Sequence, residues 1–215
     1  MRLAPEGRPV IAGALAVLGA LVFLALGLGG WWSLPAALSV LAAAWVVWFF
    51  RDPARDGPRD ARLILAPADG RVVGVVEENE PEFMGSAARR VSVFMNIFDV
   101  HVNRYPASGV IRHREYRPGA FLNATLDKAS EANERLSLGL ETPRGPLLVR
   151  QIAGLVARRI ATDGTVGSEV SQGDRLGMIR FGSRVDTFFP PDVLVRVRIG
   201  DRTKAGVTVL AEWPQ

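Results

Sequence analysis

The sequence predicts a mainly β (α+β) domain, a compact barrel or sandwich of short strands, standing behind an N-terminal transmembrane helical hairpin. Two long uncharged apolar stretches predict the hairpin, and a series of short β-branched runs with a faint internal repeat predicts the β domain.

Val10 to Gly30 is 21 residues without a charge, and Leu34 to Phe50 is another 17. Each is near the ~20 residues a helix needs to cross hydrocarbon. Trp31-Trp32-Ser33 forms the turn, and Trp45 and Trp48 mark the other end, as expected where indoles settle at the two interfaces. Arg2 and Arg8 precede the hairpin, while Arg51, Arg55, Arg59 and Arg62 follow it, so the positive-inside rule places both ends in the cytoplasm, at the inner membrane of a cell. A cleaved signal peptide is the competing reading. The second apolar stretch and the lack of a small-residue cleavage site with a polar flank favour a retained anchor. Arg51 to Arg62 mixes Pro, Gly and charge and reads as a solvated linker. The chain thus divides into a hairpin over 1–50, a linker over 51–62 and a globular domain over 63–215.

In that domain, strands are expected at Arg71 to Val76, Arg90 to Met95, Gly109 to Arg112, Leu147 to Ile152, Arg175 to Arg180 and Val193 to Ile199, with one helix around Leu126 to Arg135. Pro67-Ala-Asp-Gly-Arg-Val-Val73 resembles Pro106-Ala-Ser-Gly-Val-Ile111, each a turn that launches a strand. Gly167 to Gly177 is similar to the turn-and-strand grammar of biotinyl and lipoyl carrier domains. Those carriers need a Lys on an exposed hairpin, and neither Lys128 nor Lys204 has such a setting, so this likeness concerns fold and not function.

Cysteine is absent, which excludes disulfides, Cys-based zinc sites, iron–sulfur clusters and thiol nucleophiles. With only His101 and His113 available, no metal site is expected. The chain carries 26 Lys+Arg against 22 Asp+Glu. That balance suits anionic lipid headgroups, at roughly 1 kcal/mol per basic residue near the surface. The arginines are dispersed, without the aromatic interleaving of a nucleic-acid surface.

What remains is hydroxyl, imidazole and carboxylate chemistry. In Arg180-Phe-Gly-Ser-Arg-Val-Asp186, Ser183 follows a Gly. A Ser hydroxyl can attack the preceding carbonyl only if the peptide bends sharply, and Gly182, lacking Cβ, allows the angles required. The resulting ester can eliminate at the Ser α-carbon, freeing the upstream chain and leaving a dehydroalanine that hydrolyses to a pyruvoyl group, a covalent electron sink. A loop dipeptide is the bland reading of the same two residues. Asp69 lies in Ala66-Pro-Ala-Asp-Gly70, where Asp-Gly turn chemistry is the simple explanation. His101 follows an apolar run, among Asp99, Asn103 and Arg104, and can act as a general base or as a satisfied structural His. His113 reads as solvated surface, and Phe188-Phe-Pro-Pro191 reads either as a buried bend or as a segment at the membrane interface.

Five blocks carry a resemblance that covers nearly the whole chain: Pro67-Ala-Asp-Gly70, Phe94-Met-Asn-Ile-Phe-Asp-Val-His-Val-Asn-Arg104, Phe121 to Arg135, Gln151 to Ile160, and Phe181-Gly-Ser183. At these separations they resemble the phosphatidylserine decarboxylase family, in particular its short bacterial and archaeal branch. The resemblance implies a proenzyme cut between Gly182 and Ser183 into a β chain, 1–182, and an α chain, 183–215. Ser183 resembles the pyruvoyl precursor, and Asp69 and His101 resemble the acidic and imidazole partners. It implies conversion of phosphatidylserine to phosphatidylethanolamine through a Schiff base, with Asp69 orienting and charging His101. The implied partners are a phospholipid, the membrane and the other chain of the cut pair, with a homodimer left open and no nucleic acid. One position departs: longer bacterial members carry a second His three residues after the first, where this sequence has Arg104. Two other classes stay open on the residues themselves, a hydrolase triad of Ser183, His101 and Asp69 without a Gly-x-Ser-x-Gly elbow, and a non-catalytic carrier-like scaffold.

Overall fold

In the computed structural model, which describes residues 2–120, 133–154, 160–180 and 182–214, the chain folds as two compact units, Met1–Ala54 and Arg55–Gln215. In the first, the two apolar stretches form helices α1 (Arg8–Leu28) and α2 (Ser33–Phe49), joined through a 3-10 turn at Gly30–Trp32. With their flanking turns both are long and apolar enough to cross a membrane. Strands β1 (Arg2–Leu3) and β2 (Arg51–Asp52) pair antiparallel and bring the two ends of the hairpin together. The Ala4 N–H donates to the Phe50 carbonyl at 2.8 Å. Gly7 is needed beneath this clasp, since a Cβ there would lie 2.4 Å from the Phe50 ring.

The second unit is almost entirely strand. Its elements are β3 (Leu63–Leu65), β4 (Gly70–Glu80), β5 (Ser86–Met95), β6 (Val102–Arg104), β7 (Gly109–Arg117), β8 (Arg135–Thr142), β9 (Gly145–Ala153), β10 (Ile160–Thr162), β11 (Glu169–Val170), β12 (Arg175–Ile179), β13 (Ser183–Phe189), β14 (Leu194–Val195), β15 (Arg202–Thr203) and β16 (Val209–Glu212). The eight-stranded antiparallel sheet has the order β11-β7-β8-β9-β13-β5-β4-β15, and two three-stranded sheets, β10-β12-β6 and β14-β16-β3, complete the curled barrel. The mainly β expectation and the helical hairpin are borne out. The helix expected around Leu126 to Arg135 falls mostly on residues 121–132, outside the described residues, and Arg135 itself opens β8. Of the strand expected from Val193 to Ile199 only Leu194–Val195 forms, because Arg198 turns the chain by accepting the Asp201 N–H.

The internal repeat is structural. Leu65 donates to the Pro106 carbonyl and Arg104 to the Pro67 carbonyl, each at 2.9 Å, so the two turns hold each other. Val72 exchanges backbone hydrogen bonds with Asp201 and Gly200, and Ile111 does the same with Ser168 and Gly167. Gly70 and Gly109 open their strands against a neighbouring backbone: a Cβ would stand 2.1 Å from the Phe94 oxygen or 2.4 Å from that of Glu141.

Alternation sorts the sheet into two buried faces. Val91, Val93, Met95, Leu136, Leu138, Leu140, Leu147, Val149, Val185 and Phe189 enter the main core with Ile64, Leu176, Ile179 and Leu210. Each such side chain contributes about 1.5–3 kcal/mol on burial. Phe188, Ala88 and Leu148 pack on the other face beneath Phe83 and Met84. Both Phe188 and Phe189 are therefore buried strand residues, which settles the bend in favour of the core. The Pro- and charge-rich stretch expected as a linker is fastened to the second unit from Arg55 onwards. Gln172 holds Asp60 through both N–H and carbonyl, the Trp213 N–H reaches the Arg62 carbonyl, and Gly57 fits where a Cβ would meet the Gly206 oxygen.

Candidate active site

Ser183 is the first residue of β13, a central strand whose seven residues are all buried. It lies opposite Met95 of β5 on one side and Ala153 of β9 on the other. Its hydroxyl is buried and has no hydrogen-bond partner among the described residues. A buried, unsatisfied hydroxyl costs roughly 1–3 kcal/mol, so one in a native site points to a chemical role. Gly182, immediately before it, has φ of 64°. A Cβ at this position would meet open space, so the requirement for Gly is conformational and not steric.

His101 leads into β6 and is fully buried. Its Nδ1 lies 3.0 Å from the Asp99 carbonyl oxygen, and the Gly182 N–H approaches Nε2 at 3.4 Å. A carbonyl only accepts and an amide N–H only donates, so these contacts together define the neutral tautomer with its proton on Nδ1 and its lone pair on Nε2, turned toward the Gly182-Ser183 peptide. The structure thus joins two of the three expected site residues.

Asp69 sits elsewhere. Its Oδ2 accepts from Arg55 at 2.6 Å and its Oδ1 from the Ala205 N–H at 2.8 Å. Arg71 lies opposite Phe94, which lies opposite Arg184, so the Asp69 turn is about two strand spacings, ~10 Å, from the start of β13. Among the described residues the hydrogen bonds of Asp69 go to Arg55 and the Ala205 N–H, while the Asp99 carbonyl meets His101 Nδ1. Asp69 instead ties the segment before the domain to the rim of the sheet. Arg104, at the departing position, donates to the Gly173 carbonyl at 3.1 Å.

Three residues that were not expected as site residues line the core side of this region. The Thr162 hydroxyl donates to Gln151 Oε1 at 2.5 Å, Gln151 Nε2 donates to Asn103 Oδ1 at 2.7 Å, and Asn103 Nδ2 reaches the Met95 sulfur at 3.5 Å. Met95 and Gln151 belong to the two strands that flank β13, so Asn103 spans that strand next to Ser183. A Gln inside the apolar run Leu147 to Ile152 was the available signal. On the opposite face, Arg184 pairs bidentately with Asp186, with Nε and Nη2 each 2.9 Å from a carboxylate oxygen, and Arg90 approaches the same carboxylate at 3.5 Å.

Glu82, His113 and Glu115 present ligand atoms within 4.8 Å of one another. Glu82, however, already pairs with Arg135, Arg117 and Arg150, with Arg150 and Arg135 at 2.8 Å. Burial pushes its carboxyl up, and the three guanidiniums outweigh that and hold it below the usual carboxylate range. A cation would have to displace three arginines, so the donor set belongs to an ion-pair network. His113, expected as solvated surface, is half-buried with its ring 5.9 Å from that of Phe83.

Fold and site together define a β-barrel protein with an N-terminal apolar helical hairpin, in which a central strand opens on a Gly-Ser peptide beside a buried imidazole. A sequence model described as phosphatidylserine decarboxylase matches residues 42–211. Three relatives are each named phosphatidylserine decarboxylase proenzyme. That of Symbiobacterium thermophilum is 50% identical over 215 residues, covering 99% of this chain and 96% of its own. Those of Nitrosomonas eutropha and Magnetococcus marinus are 48% and 45% identical, covering 98% and 96% of this chain and 95% and 93% of their own. The chain belongs to the phosphatidylserine decarboxylase family.

Proposed function

We propose that this protein is a phosphatidylserine decarboxylase that cuts itself between Gly182 and Ser183 and derives its electron sink from Ser183. The observation that carries the reading is the Gly182 N–H directed at the lone pair of His101 Nε2, at 3.4 Å, beside a buried Ser183 hydroxyl without a partner among the described residues. In processing, His101 Nε2 takes the Ser183 hydroxyl proton as Oγ bonds to the Gly182 carbonyl carbon. The Gly182–Ser183 C–N bond then breaks, the Ser183 nitrogen gains a proton, and an ester remains. Loss of the Ser183 α-proton expels the Gly182 carboxylate, and water converts the dehydroalanine to a pyruvoyl group with release of ammonia. Residues 1–182 and 183–215 result.

A site for that group fits the residues present: a buried position, flanked by Met95 and Ala153, without a competing hydrogen bond among the described residues. A ketone there takes up the amine of the lipid and accepts the electron pair released as carbon dioxide departs. The chain's own part is to exclude water with the apolar core, to fix the end of β13 between two strands, and to move protons at His101 Nε2. The Asp99 carbonyl keeps the ring in the tautomer this needs. The hairpin, with both ends brought together by β1 and β2, tethers the domain to the cytoplasmic face of the inner membrane.

Intact mass under denaturing conditions, together with carbon dioxide release from phosphatidylserine, tests this. The expected result is two fragments, the smaller blocked at its N-terminus and bearing a reducible carbonyl. An active, wholly uncut chain would overturn it.

A further inference from the structure

Beside the buried site, two turns carry large apolar side chains into solvent. In the first, Asn96 Oδ1 accepts the Phe98 N–H at 2.8 Å, Asp99 Oδ2 accepts the Asn96 N–H at 2.9 Å, and the Asp99 N–H returns to the Asn96 carbonyl at 3.0 Å. These bonds make a rigid tip that leaves Phe98 61% and Ile97 40% exposed. The same turn supplies the carbonyl that holds His101. In the second, the Arg198 N–H donates to Asp201 Oδ2 at 2.8 Å and the Gly200 N–H to the Val72 carbonyl at 2.8 Å, which leaves Ile199 66% exposed. The tips are neighbours, since Arg202 Nη1 lies 3.9 Å from Asp99 Oδ1.

Three exposed arginines surround them, Arg71, Arg198 and Arg202. Arg71 and Arg202 lie directly opposite each other on β4 and β15, a placement of like charges that disfavours the pair. Neither Arg71 nor Arg198 has an ion-pair partner among the described residues. The two acids of the tips, Asp99 and Asp201, each turn an oxygen inward onto a backbone N–H. Rigid apolar tips rimmed by arginine match one kind of partner, which offers hydrocarbon and anionic phosphate within a few ångströms of each other.

We propose that the Asn96–Asp99 and Arg198–Arg202 turns form a bilayer-docking surface, with Phe98, Ile97 and Ile199 entering the acyl boundary of an anionic leaflet and Arg71, Arg198 and Arg202 meeting its phosphates. The choice of a lipid surface rests on the phospholipid reading above. Docking there sets the strand end that bears Ser183 against the leaflet, so the headgroup reaches the site while the acyl chains stay in the membrane.

The chain contains no cysteine, so single cysteines can be labelled cleanly. Full-length F98C, I199C and, as control, R144C on the β8–β9 turn would carry a nitroxide in vesicles of phosphatidylcholine with and without phosphatidylglycerol. Labels at 98 and 199 should collide with oxygen and be shielded several-fold from a water-soluble nickel complex, with the reverse at 144. R71Q/R202Q should lower that shielding only where phosphatidylglycerol is present. Labels at 98 and 199 as open to nickel as the one at 144 would overturn the proposal, as would shielding indifferent to the anionic lipid. Unshielded labels in an active enzyme sink the docking surface alone. Shielded labels in a protein that leaves phosphatidylserine untouched sink the decarboxylase reading and leave the surface standing.

Discussion

The Gly182 N–H points at Nε2 of His101 from 3.4 Å, so the imidazole faces the peptide at which the proposed cut falls. Replacing His101 by Ala removes the only imidazole at the site. We expect the intact chain to accumulate, with processing slowed at least ~100-fold. The ratio of full-length to cleaved protein over time, read on a denaturing gel, measures it. Unchanged cleavage would assign the base elsewhere.

Gly182 and Gly70 should fail differently when changed to Ala. At Gly182 the φ of 64° is the obstacle and there is free space for a methyl group. The left-handed backbone costs roughly 1–2 kcal/mol, so G182A should fold and process about 5- to 30-fold more slowly. At Gly70 the methyl would stand 2.1 Å from the Phe94 oxygen, so G70A should lose soluble expression. Thermal melts and cleavage half-times separate the two outcomes.

After cleavage the two chains should remain one particle. The small chain contributes β13, hydrogen-bonded to β5 on one side and β9 on the other, together with β14, β15 and β16. Its Val185, Phe189 and Leu210 are core residues. Native mass should therefore report a single species of the full mass, which separates only in denaturant. Dissociation in dilute native buffer would contradict the placement of β13 at the centre of the sheet.

Much of this architecture was legible because glycine and apolar spacing speak locally. Gly70 and Gly109 announced strand openings that the structure requires for close backbone approach. What escaped depends on partners far along the chain. Strand β13 reads Ser-Arg-Val-Asp-Thr-Phe-Phe, and its Arg184 and Asp186 break the apolar pattern. They are buried because they neutralise each other at i, i+2 on one face. Arg55 looked like linker charge until Asp69 received it. His101 was legible as a polar residue after an apolar strand, whereas its carbonyl support from Asp99 leaves no side-chain signature.

The chain of amides over β13 gives a stability prediction with a local cause. Gln151 is fully buried and serves Asn103 and Thr162 at once. Q151L keeps the volume and strands the buried Asn103 amide, at a cost of roughly 1–3 kcal/mol, and the half-buried Thr162 hydroxyl, at a smaller one. The denaturant midpoint should fall with the slope unchanged. Q151E, which keeps the acceptor for Thr162, should lose less than Q151L if the Thr162 contact matters, and an equal loss would place the whole effect on Asn103.

Acid should attack the opposite face of the sheet first. Glu82 is held below its usual range because Arg150, Arg135 and Arg117 together outweigh the burial that pushes it up. A carboxyl depressed in the folded state adds stability that is fully present above its unfolded value, ~4.3, and is lost as pH falls through the lower folded value. Denaturation midpoints from pH 7 down to pH 3 should therefore hold steady and then drop below about pH 4.3. In E82Q the three guanidiniums lose the carboxylate they share at every pH, Arg150 keeping Glu80 and Arg117 keeping Glu115, so the variant should be less stable at pH 7 and its curve flatter in acid. Parallel curves for the two proteins would mean that acid lability arises elsewhere in the domain.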